Sequence, residues 1–168
     1  MDGLANSPAA RDKAYLVHPM TNLKKHLEIG PTIISHGNGV RVFDDTGKEY
    51  IEGMAGLWCT SLGYGQERLI NAATDQMRKI AYVQQFRHMS HNSGIDLAEK
   101  LVSIAPDGMT KAFFVNSGSE ANDSIVKFVR FYQNAKGRPE KKKIIARMKG
   151  YHGTTLVAAS LSGLPHMH

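Results

Sequence analysis

Two short loops hold the residue types that could bind an anion and a flat ring, and each loop follows an apolar run. The first loop is Ser117-Gly118-Ser119-Glu120, and a helical pattern begins within it. A glycine at a helix start lets a ligand approach the backbone, where free N–H groups and the helix dipole favour phosphate. Ser117 with a glutamate three residues later is equally the pattern of a capping box. Phosphate binding and a purely structural cap therefore both stay open for this loop.

The second loop, Gly150-Tyr151-His152-Gly153, follows an apolar run at residues 143–147. Ligands of open α/β sheets lie beyond the carboxyl ends of the strands, so we expect both loops at one edge of a sheet. The ring of Tyr151 could stack on a planar ligand there, or it could cap the edge of the core. An anion cradle beside an aromatic ring indicates a flat phosphorylated ligand.

The elements that must position these loops form a predicted βαβ unit. Residues 111–115 and 143–147 have the composition of buried strands, and residues 119–135 between them have the spacing of an amphipathic helix. Such a unit implies parallel strands joined by a right-handed crossover. Asp96 and Asp123 fall on predicted helices, where surface or capping roles are expected.

Further elements are predicted upstream of the two loops. The spacing of apolar residues predicts helices over residues 67–81 and 92–105. Residues 40–52 are predicted to form a β-hairpin, whose turn contains Gly47 where the backbone needs positive φ. Residues 1–15 are small and polar, which predicts a mobile arm.

The composition is that of a folded protein. The chain has 168 residues, of which 42% are hydrophobic, so general disorder is not expected. The net charge is +6, but the one tight basic run, residues 141–143, lacks the interleaved aromatic residues of a nucleic-acid surface and is predicted to be a solvated loop. A single cysteine, Cys59, excludes an internal disulfide and predicts a reducing, cytoplasmic setting. No apolar run suits a membrane span, and the start lacks a secretory signal.

The eight histidines include two close pairs, His88 with His91 and His166 with His168. Neither pair has a carboxylate or a cysteine at ligand spacing. Loop or interface positions are therefore expected for these residues, and no metal site is predicted.

Five ordered blocks extend over almost the whole chain: His18-Pro19-Met20, Gly53-Met54-Ala55-Gly56-Leu57-Trp58-Cys59, Asn116-Ser117-Gly118-Ser119-Glu120-Ala121-Asn122-Asp123, Arg138-Pro139-Glu140-Lys141-Lys142 and Gly150-Tyr151-His152-Gly153. Together they resemble the class III, or omega, aminotransferases of pyridoxal-phosphate fold type I, most of all the enzymes that act on omega-amino acids or amines with pyruvate. The resemblance implies an incomplete α/β fold. Residues 1–57 would be the arm and hairpin segment of the small domain, and residues 58–168 the first part of the large cofactor domain.

The resemblance implies that pyridoxal 5'-phosphate is the cofactor. Its phosphate would be held by Ser117, Gly118 and Ser119. Its ring would be covered by Tyr151-His152-Gly153, with Tyr151 stacked on the pyridine and His152 beside it.

The resemblance also implies a substrate pocket. Leu57 and Trp58 would form part of its wall, and Met20 stands where relatives often carry an aromatic residue. Phe86 would reach the pocket of the opposite subunit, because members of this family are dimers with active sites at the interface.

The catalytic residues of the family are expected outside this chain. In the family a lysine forms the Schiff base with the cofactor and moves the proton, and an aspartate pairs with the pyridinium nitrogen. Both are expected beyond residue 168, since none of the lysines present lies in the family's catalytic context. The sequence therefore indicates an amino-terminal fragment that is inactive alone and, with sheet edges unpaired, folds poorly or aggregates.

The function implied by the resemblance is transfer of an amino group from an amine or omega-amino acid to a keto acid such as pyruvate. One alternative is a related enzyme of the same cofactor and fold, such as a decarboxylase or racemase. The other is a non-catalytic relic that binds a phosphorylated ligand or only dimerises.

Overall fold

The computed structural model describes residues 6–168, which group into two compact units that divide between Gln84 and Gln85. The first unit contains helices α1 (Pro8–Tyr15) and α2 (Leu23–Ile29), strands β1 (Ile34–Asn38), β2 (Arg41–Asp44) and β3 (Glu49–Ile51), the single helical turn α3 (Ala55–Trp58) and helix α4 (Glu67–Lys79). The second unit contains helices α5 (Asn92–Ile104), α6 (Gly118–Ala135) and α7 (Leu156–Leu161), and a 3-10 helix (Pro165–Met167).

A three-stranded antiparallel sheet, in the order β1-β2-β3, organises the first unit. Its β2–β3 hairpin pairs Val42 with Tyr50, which confirms the hairpin predicted from the alternating pattern. Strand β1 was not predicted, because its residues Ile34–Asn38 are mostly polar or glycine and give no apolar alternation. Its pairing with β2 holds it in the extended state despite that composition, with an irregularity between Ile34 and His36.

The hairpin turn is held by the carboxylate of Asp44, which is buried. Its Oδ1 atom accepts from the Thr46 N–H at 2.9 Å and the Lys48 N–H at 3.0 Å, and Oδ2 accepts from the Tyr50 hydroxyl at 2.8 Å. Gly47 closes the turn with φ of 87°, as predicted for this position. The hydrogen bonds of the Thr46 and Tyr50 side chains lower the pKa of Asp44 to about 2, and the same contact with Asp44 raises the pKa of Tyr50.

The prediction of a mobile arm over residues 1–15 is wrong for residues 8–15, which form helix α1. Ser7 caps this helix by accepting from the Ala10 N–H at 3.1 Å, and Pro8 occupies the first helical position, where its missing N–H costs nothing. Residues 1–5 lie outside the described part of the chain. Composition alone gave the wrong answer because two capping residues outweigh the low hydrophobicity of the segment.

The three predicted amphipathic helices are confirmed within one or two residues at their ends, as α4, α5 and α6. Helices α5 and α6 begin at the side-chain caps His91 and Ser117, whereas α4 begins at Gln66 without a side-chain cap. Their apolar faces are nevertheless largely exposed; Leu69 and Ile70 of α4 and Phe131 of α6 are examples. The periodicity therefore predicts the helices correctly, although it does not say what packs against them.

The predicted pairing of parallel strands is wrong. Residues 111–115 and 143–147 flank α6 but join no strand within residues 6–168, and the nearest parallel contact is a single bridge between Met148 and Gly163. Ile145 is 98% exposed, and Phe113 contacts Phe128 of α6 edge to face. An apolar run predicts burial, but a strand also needs a neighbour to accept its backbone hydrogen bonds, and the pattern does not identify one.

Residues 6–168 combine helices with a small antiparallel sheet, which is consistent with the incomplete fold that the resemblance implies. No helix within residues 6–168 is long and apolar enough to cross a bilayer. The domain boundary expected between residues 57 and 58 concerns the domains of the whole fold, and it stays a prediction.

The Asp44 network predicts a loss of hairpin stability in acid. Folding lowers the pKa of Asp44 from 3.8 to about 2. The stabilisation that the ionised carboxylate gives to the hairpin is therefore fully present above pH 3.8 and is lost as pH falls through about 2. Titration of the Asp44 carboxyl carbon by NMR measures this value. Tyr50→Phe removes one donor and should raise the pKa of Asp44. An unchanged pKa of Asp44 in that variant would show that the Tyr50 hydroxyl does not stabilise the carboxylate.

Candidate functional site

The amino terminus of helix α6 is closed by a capping box. The Ser117 hydroxyl oxygen accepts from the Glu120 N–H at 3.1 Å, and the Glu120 carboxylate accepts from the Asn116 N–H at 2.8 Å. The structural interpretation of this loop is therefore correct. It uses one lone pair of Ser117 and leaves the hydroxyl proton of that residue available for a further bond.

The same helix end leaves backbone donors available for an anion. Of the first N–H groups of α6, that of Glu120 is capped by Ser117, and that of Ala121 binds the Ser117 carbonyl at 3.0 Å. Within the part of the chain that the structure describes, the N–H groups of Gly118 and Ser119 have no acceptor. A Cβ on Gly118 would meet no atom within 4 Å, so the space beside these donors is open. Capping and anion binding are compatible here, since they use different groups.

The two loops that the sequence pattern singled out are in direct contact. The Thr154 N–H donates to the hydroxyl oxygen of Ser119 at 3.0 Å. Gly153 is buried with φ of 126°, and a Cβ at this position would lie 2.8 Å from the Ser119 Cα. Glycine is required at position 153 both by its backbone conformation and by this approach. The hydroxyl of Ser119 still carries a proton that it can donate to a ligand.

Two residues of α6 hold the second loop and the start of α7 that follows it, and the sequence analysis did not assign them to the site. The Asn122 side-chain amide donates to the His152 carbonyl at 2.6 Å. The Asp123 carboxylate accepts from the Thr155 hydroxyl at 2.7 Å and the Ala158 N–H at 3.1 Å, which caps α7. A capping role for Asp123 was among the expectations, but its partners lie more than 30 residues away and no local pattern indicates them.

Tyr151 is 62% exposed and borders an apolar groove of about 580 Å³. The groove lies between α6 and residues 143–152, and Ile125, Val129 and Ile144 are among the residues that line it. The His152 N–H, next to Tyr151, donates to the hydroxyl of the buried Ser162 at 2.9 Å. The backbone of this loop is thus anchored while the ring of Tyr151 is left free to contact a planar group.

The four predicted pocket residues are all exposed, as a surface that meets a substrate would require. Met20, Leu57 and Trp58 lie in the first unit, and Trp58 is 82% exposed. Phe86 lies in the second unit. Their common pocket therefore stays a prediction.

Left-handed backbone marks the predicted site residues. Seven non-glycine residues within residues 6–168 have positive φ, and each is a predicted site residue or lies within two positions of one: Met20, Ala55, Leu57, Trp58, Arg87, His88 and Lys149. Such a conformation costs about 1–2 kcal/mol per residue. Strain of this kind persists where the surrounding structure enforces it, and it gathers at functional sites.

One cluster of possible metal ligands is formed by Asp12, His18 and His26. His18 Nε2 lies 3.0 Å and His26 Nε2 lies 2.8 Å from the Asp12 carboxylate. Burial acts to raise the pKa of Asp12, but the hydrogen bonds from His26 and His18 outweigh it and hold the pKa below its ordinary value. The ring nitrogens bond the carboxylate directly, which ties α1 to α2. The sequence analysis missed this cluster because it considered only histidines close together in sequence.

The comparisons with known proteins agree with one another. The sequence model of the family Aminotransferase class-III matches residues 24–168. The chain is 47% identical to gamma aminobutyrate transaminase 3, chloroplastic, of Solanum lycopersicum, over 98% of this chain and 33% of that protein. It is 43% identical to putrescine–pyruvate aminotransferase of Pseudomonas aeruginosa, over 89% of this chain and 33% of that protein.

A solved structure gives the same result. The omega transaminase from Pseudomonas jessenii in complex with PMP superposes with a TM-score of 0.94 at 51% identity, over 96% of this chain and 36% of that chain. The chain spans about a third of the length of the curated relatives it matches.

The contacts of Asp123 lead to a prediction about the start of α7. Asp123→Ala removes the acceptor for the Thr155 hydroxyl and the Ala158 N–H, and should increase amide exchange at residues 155–158 by about 10-fold, as expected for losing charged hydrogen bonds. Hydrogen exchange followed by mass spectrometry measures this change. Asp96→Ala, an exposed aspartate of α5, is the matched control. Equal exchange in both variants would show that Asp123 does not hold the start of α7.

Proposed function

Because the chain belongs to the class-III aminotransferase family, whose members depend on pyridoxal phosphate, we propose that it forms part of an enzyme that moves an amino group from an amine or omega-amino acid to a keto acid such as pyruvate. The observation that carries the proposal is the contact between the Ser119 hydroxyl and the Thr154 N–H. That contact brings the amino terminus of α6, with its unbonded N–H groups, next to the loop that bears the aromatic ring.

The residues present fit the cofactor. The N–H groups of Gly118 and Ser119, with the hydroxyls of Ser117 and Ser119, would bind the phosphate at the positive end of the α6 dipole. The exposed ring of Tyr151 would cover the pyridine. His152 and Gly153 would complete this wall, with Gly153 allowing the close approach.

When bound, pyridoxal phosphate supplies the carbonyl carbon and the electron-withdrawing ring through which an amino group passes between donor and acceptor. This chain would bind and orient that group. Four donors at one helix end would hold the phosphate, and the anchored backbone of His152 would keep the ring of Tyr151 in position beside it. We assign no proton transfer to any residue of this chain, since none of its lysines lies in the family's catalytic context.

The substrate pocket would be formed by Met20, Leu57 and Trp58, with Phe86 directed to the pocket of the opposite subunit. A thermostable omega transaminase variant with the substitution W58G is described as engineered for the synthesis of bulky amines. This chain is similar to that protein and carries tryptophan at its own position 58. That agreement supports a role for Trp58 in limiting the size of the amine.

The assembly and location of the protein are further parts of the proposal. A homodimer is proposed because the exposed Phe86 is expected to act across a subunit interface. We also propose a cytoplasmic location, on the basis of the lone cysteine and the absence of a membrane-spanning helix in residues 6–168, although relatives in Solanum lycopersicum and Oryza sativa are named chloroplastic and mitochondrial.

A fusion protein tests this function. Residues 1–168 of this chain, joined to the remainder of the Pseudomonas jessenii transaminase, should form alanine from pyruvate and an amine. The chain alone should form none. A folded, dimeric fusion that produces no alanine would refute the proposal, and alanine production by the chain alone would refute its inactivity.

A variant in the same fusion tests the phosphate site. Gly118→Ala places a methyl group in the open space beside the helix donors, and should raise the Kd for pyridoxal phosphate by about 10-fold or more, the effect of losing a charged hydrogen bond. Its thermal stability should not fall, since alanine suits a helix better than glycine. Gly53→Ala, also in open space, is the control. An unchanged Kd in Gly118→Ala would exclude this helix end as the phosphate site.

A further inference from the structure

The turn α3 is left-handed, and it presents two of the predicted pocket residues. Gly56 has φ of 58° and ψ of 36°, and Leu57 has φ of 62° and ψ of 51°. Ala55 and Trp58 at its ends also have positive φ, of 48° and 71°. Three of these four residues bear side chains, which disfavour this conformation. Something outside the turn must therefore hold it.

The carboxylate of Glu52 is in position to do so. One of its oxygens accepts from the Met54 N–H at 2.9 Å, and the other accepts from the Gly56 N–H at 2.6 Å. These two groups lie at the start of the turn, where N–H donors have no partner within the turn itself. A single ionised side chain thus satisfies both donors with charge-assisted hydrogen bonds, which are the stronger kind.

Glu52 is in turn anchored to the sheet. It follows β3 directly, and its N–H donates to the Val40 carbonyl at 2.9 Å. The segment after the turn is also tied back, because Gly39 and Tyr64 exchange backbone hydrogen bonds of 2.8 and 3.1 Å. The left-handed turn therefore lies between two attachments to the segment that joins β1 and β2, at Val40 and at Gly39. The side chain of Glu52 connects the turn to the attachment at Val40.

Packing inside the turn adds a reason for its sequence. A Cβ on Gly56 would lie 3.1 Å from the Thr60 hydroxyl oxygen and 3.3 Å from the Tyr64 hydroxyl oxygen. The turn is closed by bonds of 2.9 Å from the Trp58 N–H to the Met54 carbonyl and 2.8 Å from the Cys59 N–H to the Ala55 carbonyl. With the inner side occupied, the side chains of Leu57 and Trp58 are exposed.

We propose that Glu52 is a positioning residue for amine selectivity, because its carboxylate holds the left-handed turn that presents Leu57 and Trp58 to the substrate. Only the effect on amine selectivity rests on the function proposed above; the hold of Glu52 on the turn does not. Glu52 touches neither substrate nor cofactor in this role, and it acts through the backbone of the turn.

The turn itself is tested in the fusion protein described above, by amide exchange at Gly56. Glu52→Ala removes both acceptors, and Glu52→Gln replaces one acceptor with a donor. Both variants should increase amide exchange at Gly56 by about 10-fold or more, the effect of losing charged hydrogen bonds. Hydrogen exchange followed by mass spectrometry measures this change.

Glu49→Gln is the matched control, since it changes the same charge on the neighbouring strand, where Glu49 pairs with Arg41. This control, made in the same fusion, should retain the amide exchange of the unsubstituted fusion. If both Glu52 variants keep that exchange as well, the turn does not depend on Glu52 and the proposal is wrong.

Selectivity is measured in the fusion protein described above. Glu52→Gln should change the ratio of kcat/KM for a bulky and a small amine by about 10-fold, the effect of losing a charged hydrogen bond, mainly through KM. The kcat for the small amine should be retained, which a general loss of folding would not allow. An unchanged ratio would overturn the proposal. If the unsubstituted fusion transfers no amino group, the proposed function fails, and amide exchange at Gly56 in the folded fusion still decides whether Glu52 holds the turn.

Discussion

The close packing of Gly153 against Ser119 is the constraint on which the candidate site depends. A side chain at position 153 would collide with the first turn of α6, so only glycine allows the two loops to meet. Their meeting orients the Ser119 hydroxyl, because the Thr154 N–H occupies one lone pair and leaves the proton free. It also brings the loop of Tyr151 to the same helix end that offers unbonded N–H groups. A single backbone approach thus determines where an anion and an aromatic ring could share a ligand.

Polar side chains, rather than a large apolar core, hold this chain together locally. Asp44 holds the hairpin turn, Asp12 joins two helices, Glu52 holds a left-handed turn and Asp123 caps α7. Carboxylates suit this task, because two oxygens can accept several N–H and O–H groups at once. Each supports a backbone conformation next to a predicted site or within the sheet. Strain at the site is therefore offset by ionic hydrogen bonds close to it.

Features encoded over a few residues were predictable. The extents of α4, α5 and α6 follow from apolar spacing, and the hairpin follows from alternation and a glycine turn. The capping box at Ser117 follows from one spacing of three residues. Strand β1 and helix α1 were missed, since their residues form regular structure through a neighbouring strand and a favourable cap rather than through hydrophobic pattern.

The sequence by itself determined the family, the main helices and the two loops that could bind a phosphorylated ring, because these depend on ordered motifs and on local periodicity. Only the tertiary structure decided that Asn122 holds the second loop and Asp123 the start of α7, that residues 111–115 find no strand partner within residues 6–168, and that Ala55–Trp58 form a left-handed turn. The physical reason is the same in each case. A hydrogen-bond partner 30 residues away, or a backbone angle that a side chain disfavours, is set by what surrounds a residue and not by its neighbours in sequence.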